Sequence, residues 1–249
     1  MTNKYIYFIA NWKMFGNLRT LNSLNSVISF VKKFKKNKLK IIYCPPATLL
    51  NPLSEKLKSS SIQIGAQNCH ESDNYGAFTG HINSNMIKSV GAKYVILGHS
   101  ENRQMGENDN VINKKIKSSI KSGLKVIFCI GETLNEKRRK ATKRVLERQI
   151  SLGLKNVNKK NSNIIIAYEP IWSIGTGLVP TVQEIIEVKE FVYEFLAKSK
   201  NICKVAFLYG GSVNSKNAKE ILIGAEVDGS LIGGSSLKIT EMNKILTLG

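Results

Sequence analysis

The sequence predicts an α/β protein in which eight parallel strands alternate with helices and close into a (β/α)8 barrel. Three observations support this fold class. Short apolar runs rich in β-branched residues recur along the chain, and longer amphipathic segments separate them. No Pro-, Gly- or Ser-rich linker divides the sequence. The length of 249 residues suits one barrel of this kind, so we expect residues 1–249 to form a single domain.

The predicted strands are runs in which apolar residues follow one another with little alternation. This pattern is typical of strands that are buried on both faces of a parallel sheet. Eight such units within this length favour a closed barrel over an open sheet. The runs are Tyr5–Ala10, Lys40–Tyr43, Ile62–Ala66, Tyr94–Leu97, Lys125–Ile130, Ile164–Tyr168, Val205–Leu208 and Gly229–Ile232.

Helical periodicity lies between these runs. The last long helix has the clearest start, because Thr181 and Glu184 form a capping box directly after Pro180. In barrels of this class the reactive residues lie at the C-terminal ends of the strands. We therefore expect functional residues directly after the apolar runs. The predicted helices are Leu18–Phe34, Asp109–Ser122, Glu136–Leu154 and Thr181–Lys198.

The net charge of +19 is the most unusual bulk property of the chain. A basic protein can bind nucleic acid or attract an anionic substrate. The lysines are scattered, however, and the small basic clusters near Lys32 and Lys137 are not interleaved with aromatic residues as in a single-strand binding surface. We interpret them as solvated helix faces and expect no specific nucleic-acid partner. A basic anion- or nucleic-acid-binding protein remains the alternative on charge alone.

Cysteine usage and hydropathy indicate the compartment. The four cysteines, Cys44, Cys69, Cys129 and Cys203, include no C-x-x-C pair, and we expect reduced thiols. No apolar stretch approaches the length that crosses a bilayer, and the N-terminal residues lack the pattern of a signal peptide. These features predict a cytoplasmic protein without a membrane partner.

Polar residues follow the first and fourth apolar runs. Asn11 and Lys13 would bring an amide donor and a positive charge to the mouth of the barrel. His99 and Glu101 follow Gly98 at the tip of the fourth run. A His between a strand tip and a helix N-terminus is well placed for proton transfer, because the nearby N–H groups favour the neutral imidazole. A structural role stays open for each residue taken alone.

A carboxylate, Glu169, follows the sixth run and opens a loop. The loop begins with a stiff proline, has an apolar middle and ends with two glycines, which is typical of a lid that closes over a ligand. An ordinary strand-to-helix loop with an incidental Glu fits these residues equally well on their own. The predicted lid consists of Pro170, Ile171, Trp172, Ser173, Ile174, Gly175, Thr176 and Gly177.

Paired glycines follow the last two runs, in Gly210-Gly211-Ser212 and Gly233-Gly234-Ser235. Glycines leave backbone N–H groups unobstructed, and barrels of this class commonly bind phosphate in these two loops. One Gly-Gly pair usually marks a tight turn. Two pairs in this position favour a phosphate site.

No other catalytic motif competes with these residues. The chain has no H-E-x-x-H, P-loop or G-x-S-x-G motif and no metal-ligand spacing, so we expect no metal and no cofactor. Glu101 and Glu169 leave open a carboxylate pair for glycoside hydrolysis. A single Glu base with a neutral His and a phosphate site fits proton abstraction next to a carbonyl better.

Several motifs in a fixed order carry a family resemblance. They are Asn11-Trp12-Lys13, Gly65-Ala66-Gln67-Asn68, Gly76-Ala77-Phe78-Thr79-Gly80, Gly98-His99-Ser100-Glu101, Tyr168-Glu169-Pro170 with Trp172 and Ile174 to Gly177, Tyr209-Gly210-Gly211-Ser212-Val213, and Gly233-Gly234. Over essentially its whole length the chain resembles the triosephosphate isomerase family. The resemblance implies a TIM barrel of the (β/α)8 type and a reaction of glycolysis and gluconeogenesis, the interconversion of dihydroxyacetone phosphate and glyceraldehyde 3-phosphate.

The resemblance also assigns roles, in the scheme of a Glu base, a neutral His and a closing loop that is established for this family. Glu169 would move a proton between two carbons, and His99 would move protons between the oxygens. Lys13 and Asn11 would stabilise the enediol(ate), and Glu101 would organise Lys13. The backbone N–H groups that would hold the phosphate belong to Gly175, Ser212, Gly233 and Gly234.

The resemblance further implies a homodimer, in which a loop carrying Thr79 contacts the catalytic residues of a second copy. Four residues depart from the family pattern and put local packing in doubt, namely Asn102, Tyr193, Ser230 and Ser235. Because Tyr193 replaces an expected Arg, we expect Asp228 to lack its usual ion-pair partner. Another phosphosugar isomerase or lyase on the same barrel is the alternative function.

Overall fold

A computed structural model of the chain describes residues 5–34, 38–157, 163–200, 202 and 205–249. Eight parallel strands pair in chain order, and β8 pairs with β1 to close the barrel. The predicted (β/α)8 fold is therefore confirmed. The strands are β1 Ile6–Asn11, β2 Leu39–Cys44, β3 Gln63–Ala66, β4 Tyr94–Leu97, β5 Lys125–Ile130, β6 Ile164–Tyr168, β7 Ala206–Tyr209 and β8 Gly229–Ile232.

The strand predictions hold to within one residue. The bounds of β4, β5, β6 and β8 agree with the sequence pattern, and the other four strands shift by one residue at one or both ends. The shifts involve polar Asn11 as well as apolar residues such as Leu39, because strand pairing depends on the backbone and not on side-chain polarity.

Helices surround the strands. They are α1 Leu24–Phe34, α2 Leu50–Leu57, α3 Ser84–Ser89, α4 Ser100–Gln104, α5 Asp109–Lys121, α6 Leu134–Arg138, α7 Thr142–Gly153, α8 Val182–Phe195 and α9 Ile239–Leu246. The capping box at the start of α8 is confirmed, since Oε2 of Glu184 accepts from the N–H of Thr181 at 2.8 Å. Helices α2, α3 and α9 were not predicted, and of α4 only the N-terminus after His99 was expected, because segments of eight residues or fewer carry little periodicity.

Three of the helix predictions differ from the structure in detail. The segment Leu18–Phe34 begins with a 3-10 turn, Leu18–Ser23, and becomes α-helical only at Leu24. The segment Glu136–Leu154 is two helices, α6 and α7, because Lys140 between them has a φ of 55°, which an α-helix cannot contain. The last predicted helix ends its α-helical part at Phe195 and continues as a π-helical turn, Leu196–Lys200.

The core has two layers. Side chains that point into the barrel, such as Ile9, Ile96 and Ile127, form the inner layer, and a larger layer lies between the strands and the helices. Gly229 closes the seam between β8 and β1, since a Cβ there would lie 1.9 Å from the carbonyl oxygen of Tyr7. Any side chain at this position would force the two strands apart.

The structure accounts for two of the departures from the family pattern. Tyr193 donates a hydrogen bond from its hydroxyl to Oδ2 of Asp228 at 3.1 Å, so within the described residues the buried carboxylate has a neutral donor where an ion pair was expected. The Oγ atom of Ser235 donates to the carbonyl of Val213 at 2.7 Å. The Oγ atom of Ser230 is buried and has no hydrogen-bond partner within the described part of the chain.

The described cysteines are free and buried thiols, namely Cys44, Cys69 and Cys129, and Cys203 lies outside the described residues. Among the described helices, none combines the length and the apolar character that would let it cross a bilayer. Because all eight strands are parallel, their C-terminal ends lie at one end of the barrel. The predicted site residues follow these ends.

Candidate active site

A cavity of about 310 Å³ opens at the C-terminal ends of the strands. Asn11, Lys13, His99 and Glu169 line it, although they lie as far apart in sequence as 158 residues (169 minus 11). The other lining residues belong to the lid and to the glycine loops, namely Ile174, Gly175, Gly177, Gly210, Gly211, Ser212, Val213, Asn214, Leu231, Gly233, Gly234 and Ser235. The cavity is thus large enough for a small substrate only.

Glu169 lies directly after β6 and is buried, with 2% of its surface exposed. Its Oε2 atom accepts a hydrogen bond from the N–H of Ser100 at 3.1 Å. Its Oε1 atom has no hydrogen-bond partner among the described residues. Gly131 packs directly against the backbone of Glu169. A Cβ at position 131 would lie 1.8 Å from the carbonyl oxygen of Glu169, so only glycine fits there. One carboxylate oxygen is therefore held by a backbone N–H, and the other faces the cavity without an aligned hydrogen-bond donor among the described residues.

The charge of Glu169 influences the thiol beneath it. Burial, and then the nearby charge of Glu169, raises the pKa of Cys129 well above the usual range of a thiol. Cys129 is fully buried at the end of β5. A neutral thiol at this position avoids a second negative charge next to the carboxylate.

His99 follows β4 and caps the N-terminus of α4. Its Nδ1 atom accepts a hydrogen bond from the N–H of Glu101 at 3.3 Å, so Nδ1 carries no proton and a neutral ring carries its proton on Nε2. Nε2 lies 3.2 Å from Oε1 of Glu169. This hydrogen-bond pattern assigns the tautomer that presents an N–H donor to the cavity.

Lys13 lies in the loop after β1 and has a φ of 52°, a left-handed conformation. Its N–H donates to Oδ1 of Asn11 at 3.0 Å, and its Nζ lies 2.6 Å from Oε1 of Glu101. A Cβ on Gly233 would lie 3.4 Å from the Cε atom of Lys13, so the lysine side chain extends over the eighth-strand loop. Glu101 is half exposed and contacts the lysine from outside the cavity.

The two glycine loops form part of the cavity wall, and Gly210 packs beside the Glu169 side chain. Gly210, Gly211 and Ser212 follow β7, and Gly233 and Gly234 follow β8. A Cβ on Gly234 would meet no atom within 4 Å, so the space beside this residue is open. The hydrogen bond from Ser235 to Val213 joins the two loops. Glycine at these positions keeps side chains out of the space that an anion would occupy.

The predicted lid leaves β6 through Pro170 and a 3-10 turn, Ile171–Ser173. Trp172 donates from Nε1 to Oε1 of Glu132 at 2.8 Å, and Thr176 donates from its hydroxyl to the carbonyl of Trp172 at 2.9 Å. The N–H of Gly175 lies 3.3 Å from the Oγ atom of Ser212. Gly175 and Gly177 both have positive φ values, of 71° and 79°, which explains the need for glycine at the end of this loop.

Sequence reasoning missed the groups that hold the lid and the lysine. Two groups contact the lid: Glu132, which lies after β5, accepts from Trp172, and the hydroxyl of Tyr209 lies 3.0 Å from that of Ser173. The third residue, Gln67, follows β3 and contacts Lys13. Glu132 and Gln67 follow strand ends, so the rule that identified His99 and Glu169 could have found them had it been applied to the third and fifth strands.

Thr79 lies on an exposed loop away from the cavity lining. Phe78 beside it packs against His70 with ring centroids 4.4 Å apart, and Tyr75 is 71% exposed. Among the described residues no group of three His, Cys, Asp or Glu side chains could hold a metal ion.

Glycine loops after the seventh and eighth strands are typical of the phosphate-binding class of (β/α)8 barrel enzymes. The family model of triosephosphate isomerase matches residues 6–248. A triosephosphate isomerase of Carboxydothermus hydrogenoformans is 43% identical, with 96% of this chain and 97% of the relative covered. A triosephosphate isomerase of Aquifex aeolicus is 40% identical, with 95% of this chain and 96% of the relative covered. The chain therefore belongs to the triosephosphate isomerase family, and it is an isomerase.

The fold agrees with this assignment. The crystal structure of triosephosphate isomerase from Bartonella henselae matches with a TM-score of 0.88 and 36% identity, over 98% of each chain. The resemblance stated from the motifs is thereby confirmed over nearly the whole chain.

Proposed function

We propose that this chain interconverts dihydroxyacetone phosphate and D-glyceraldehyde 3-phosphate by proton transfer through an enediol(ate), with Glu169 as the base. Glu169 removes a proton from one carbon and returns it to the neighbouring carbon. The observation that supports this role most is its free Oε1 atom, which is buried at the cavity wall 3.2 Å from Nε2 of His99. A positioned general base contributes about 10²- to 10⁴-fold to a rate.

His99 is the proposed electrophile. Its Nε2–H would donate to the substrate oxygens while negative charge develops there, and the same nitrogen would pass protons between them. The hydrogen bond at Nδ1 supports this role, because it leaves the proton on the nitrogen that points to the cavity. A preorganised donor at a developing oxyanion contributes about 10²- to 10³-fold.

Lys13 and Asn11 are proposed to stabilise negative charge on the enediolate and on the phosphate. Asn11 is 5% exposed and holds the N–H of Lys13, which supports a fixed position for both residues. Glu101 is proposed to act on Lys13 from outside the cavity, since it contacts Nζ but does not belong to the lining.

The backbone N–H groups of Gly175, Ser212, Gly233 and Gly234 are proposed to bind the phosphate group. All four residues line the cavity that Glu169 and His99 also line. Backbone donors suit a dianion because they carry no mobile side chain and gain strength where water is excluded.

The loop from Pro170 to Gly177 is proposed to close over the substrate. Exclusion of water strengthens the electrostatic interactions in the site and suppresses the elimination of phosphate from the enediolate. The contact between Gly175 and Ser212 supports this role, because it joins the tip of the loop to a proposed phosphate-binding residue.

The wider organisation is also a proposal. A single barrel domain is supported by the unbroken order of β1 to β8, and a cytoplasmic location is supported by the free thiols of the described cysteines. A homodimer is supported by large exposed apolar side chains in the loops after β1, β3 and β4, namely Met14, Phe15, Tyr75, Phe78 and Met105.

Another phosphosugar isomerase or lyase is the second candidate. A cavity of about 310 Å³ favours a triose phosphate over a larger sugar phosphate. The decisive experiment incubates the purified chain with dihydroxyacetone phosphate and measures glyceraldehyde 3-phosphate through its coupled oxidation, with pentose and hexose phosphates assayed in parallel. Turnover of the triose phosphate alone is the expected result, and turnover of the larger substrates alone would contradict the proposal.

A further inference from the structure

The backbone of Lys13 needs an external support. Its φ of 52° is one of only four positive values at non-glycine residues in the described part of the chain. Residues with side chains occupy this region rarely, and they stay there only when the surrounding structure holds them. The hydrogen bond from the N–H of Lys13 to Asn11 fixes one side of the residue. Its carbonyl on the other side also needs a partner.

The side-chain amide of Gln67 provides that partner. Its Nε2 atom donates to the carbonyl oxygen of Lys13 at 2.7 Å and to the carbonyl oxygen of Cys44 at 2.8 Å. Cys44 ends β2, is paired in register with Asn11 and also accepts from the N–H of Trp12 at 3.1 Å. One NH₂ group therefore joins the strained residue to the rigid end of the sheet.

The chemistry of this contact requires an amide. Two carbonyl oxygens converge on one nitrogen, and an uncharged NH₂ group supplies the two donors that they need. A carboxylate at the same place would have no donor and would face the carbonyl oxygens of Lys13 and Cys44 with a third acceptor, which leaves both unsatisfied. The other contact of Lys13, with Glu101, does not replace it, because both side chains are partly exposed and such ion pairs contribute little.

We propose that Gln67 is a positioning residue for the isomerase reaction, which holds Lys13 in its left-handed conformation and thereby keeps Nζ beside the cavity. Gln67 does not belong to the described residues that line the cavity, so it acts through Lys13 and not on the substrate. The inference rests on the role proposed above for Lys13.

The test compares two Gln→Glu changes, one at each end of β3. Gln67→Glu removes both donors with almost no change of shape. Gln63→Glu is the matched control, because Oε1 of Gln63 only accepts from the hydroxyl of Tyr94 and a carboxylate also accepts. We expect Gln67→Glu to lower kcat/KM about 10²-fold, the cost of a small misplacement in an active site. The control should stay within about twofold of the parent chain.

Three further measurements separate positioning from a general loss of structure. Inorganic phosphate, titrated calorimetrically, should bind Gln67→Glu about tenfold more weakly, because Lys13 no longer faces the anion. In a Lys13→Ala background the same change should have almost no further effect on phosphate affinity, since a residue that acts through Lys13 cannot act without it. The crystal structure of Gln67→Met should have a negative φ at Lys13.

Specific results would overturn the proposal. It is wrong if Gln67→Glu and Gln67→Met both keep kcat/KM within about threefold of the parent chain, or if Gln67→Glu weakens phosphate binding equally with and without Lys13. If Gln67→Glu does not fold, Gln67→Met takes its place in every measurement. A parent chain without isomerase activity would refute the proposed function, while the phosphate titrations and the φ of Lys13 would still decide the role of Gln67.

Discussion

The Oε1 atom of Glu169 lies 3.2 Å from the Nε2 atom of His99, and both side chains are buried at the wall of one cavity. The two residues follow strands β6 and β4, which are not neighbours in the sheet. The Oε2 atom of Glu169 accepts a hydrogen bond from the N–H of Ser100, and the Nδ1 atom of His99 accepts one from the N–H of Glu101. The carboxylate oxygen and the ring nitrogen that face each other are therefore both positioned by backbone groups and not by mobile side chains.

Replacement of Glu169 by Gln should lower kcat by about 10²- to 10⁴-fold, while KM changes less. The amide oxygen can still accept from the N–H of Ser100, so the side chain keeps its position and loses only its basicity. Steady-state kinetics in both reaction directions measure the effect. Glu147→Gln, the same change at an exposed position of α7, serves as the control and should leave kcat unaltered. Near-normal turnover by Glu169→Gln would remove this residue from the mechanism.

Removal of residues 174–177 should change the products of the reaction as well as its rate. Without the loop tip the enediolate is exposed to water, and it eliminates inorganic phosphate to leave a dicarbonyl compound. Phosphate release and dicarbonyl formation, measured beside the isomerase assay, quantify the side reaction. A variant that isomerises its substrate without releasing phosphate would refute the role of this loop as a lid.

The sequence predicted the strand tips well, for a physical reason. Parallel barrel strands are buried on both faces, so their apolar runs end where the backbone leaves the core, and Glu169 and His99 stand at those ends. The shared edge of the sheet follows from parallel pairing alone. The positions of Glu169 and His99 were therefore accessible without coordinates.

Supporting contacts were not accessible in this way. The bonds from Gln67 to Lys13 and from Trp172 to Glu132 join segments 54 and 40 residues apart, and no periodicity in the sequence reports such pairs. The break at Lys140 was missed because the polar residues around it fit an exposed helix face equally well, while its left-handed φ is visible only in the backbone. Barrel closure thus determines where the residues at the strand ends lie, and only side-chain geometry reveals the contacts that support them.

Replacement of Glu132 by Gln should stabilise the protein at high pH. Burial raises the pKa of Glu132, and the hydrogen bonds from Trp172 and Tyr168 oppose this rise. Because the pKa is higher in the folded than in the unfolded state, the stability contribution of this carboxyl is fully present below the ordinary value of 4.5 and is lost as the pH rises through the folded value.

The side-chain amide introduced by Glu132→Gln can accept the same bonds through its oxygen and never ionises. The variant should therefore gain about 2–4 °C in Tm over the parent chain at pH 8, equivalent to about 1 kcal/mol, and less at pH 4. Thermal melts across this range test the sign. Glu190→Gln, at an exposed position of α8, is the control. A difference in Tm that shrinks as the pH rises would contradict the assignment.

Replacement of Tyr193 by Phe should destabilise the fold by about 1–3 kcal/mol, because the buried carboxylate of Asp228 loses a hydrogen-bond donor. The N–H of Phe207 remains as a partner at 2.9 Å, so the carboxylate is not left entirely alone. Urea unfolding curves measure the loss. Ser59→Ala removes a hydroxyl from an exposed side chain outside the proposed dimer loops and should change almost nothing. Equal stability of the two variants would mean that the hydroxyl of Tyr193 does not support Asp228.

Replacement of Met14 by Glu should dissociate the proposed homodimer. Met14 is 94% exposed in the single chain, and Met105 is 89% exposed, which is unusual for apolar side chains unless a second copy covers them. A charge that must leave water opposes this contact. Light scattering should give twice the chain mass of 27.7 kDa for the parent protein and the single mass for Met14→Glu.

Ile223→Glu is the control for this change, because Ile223 is 52% exposed in the turn that precedes β8, outside the loops proposed to meet the second copy. It should remain dimeric. Because Met14 adjoins Lys13, loss of the partner should also lower kcat/KM, and the activity of the parent chain should fall on dilution below its dissociation constant. A parent chain with the single mass at every concentration would refute the homodimer and leave the exposed methionines unexplained.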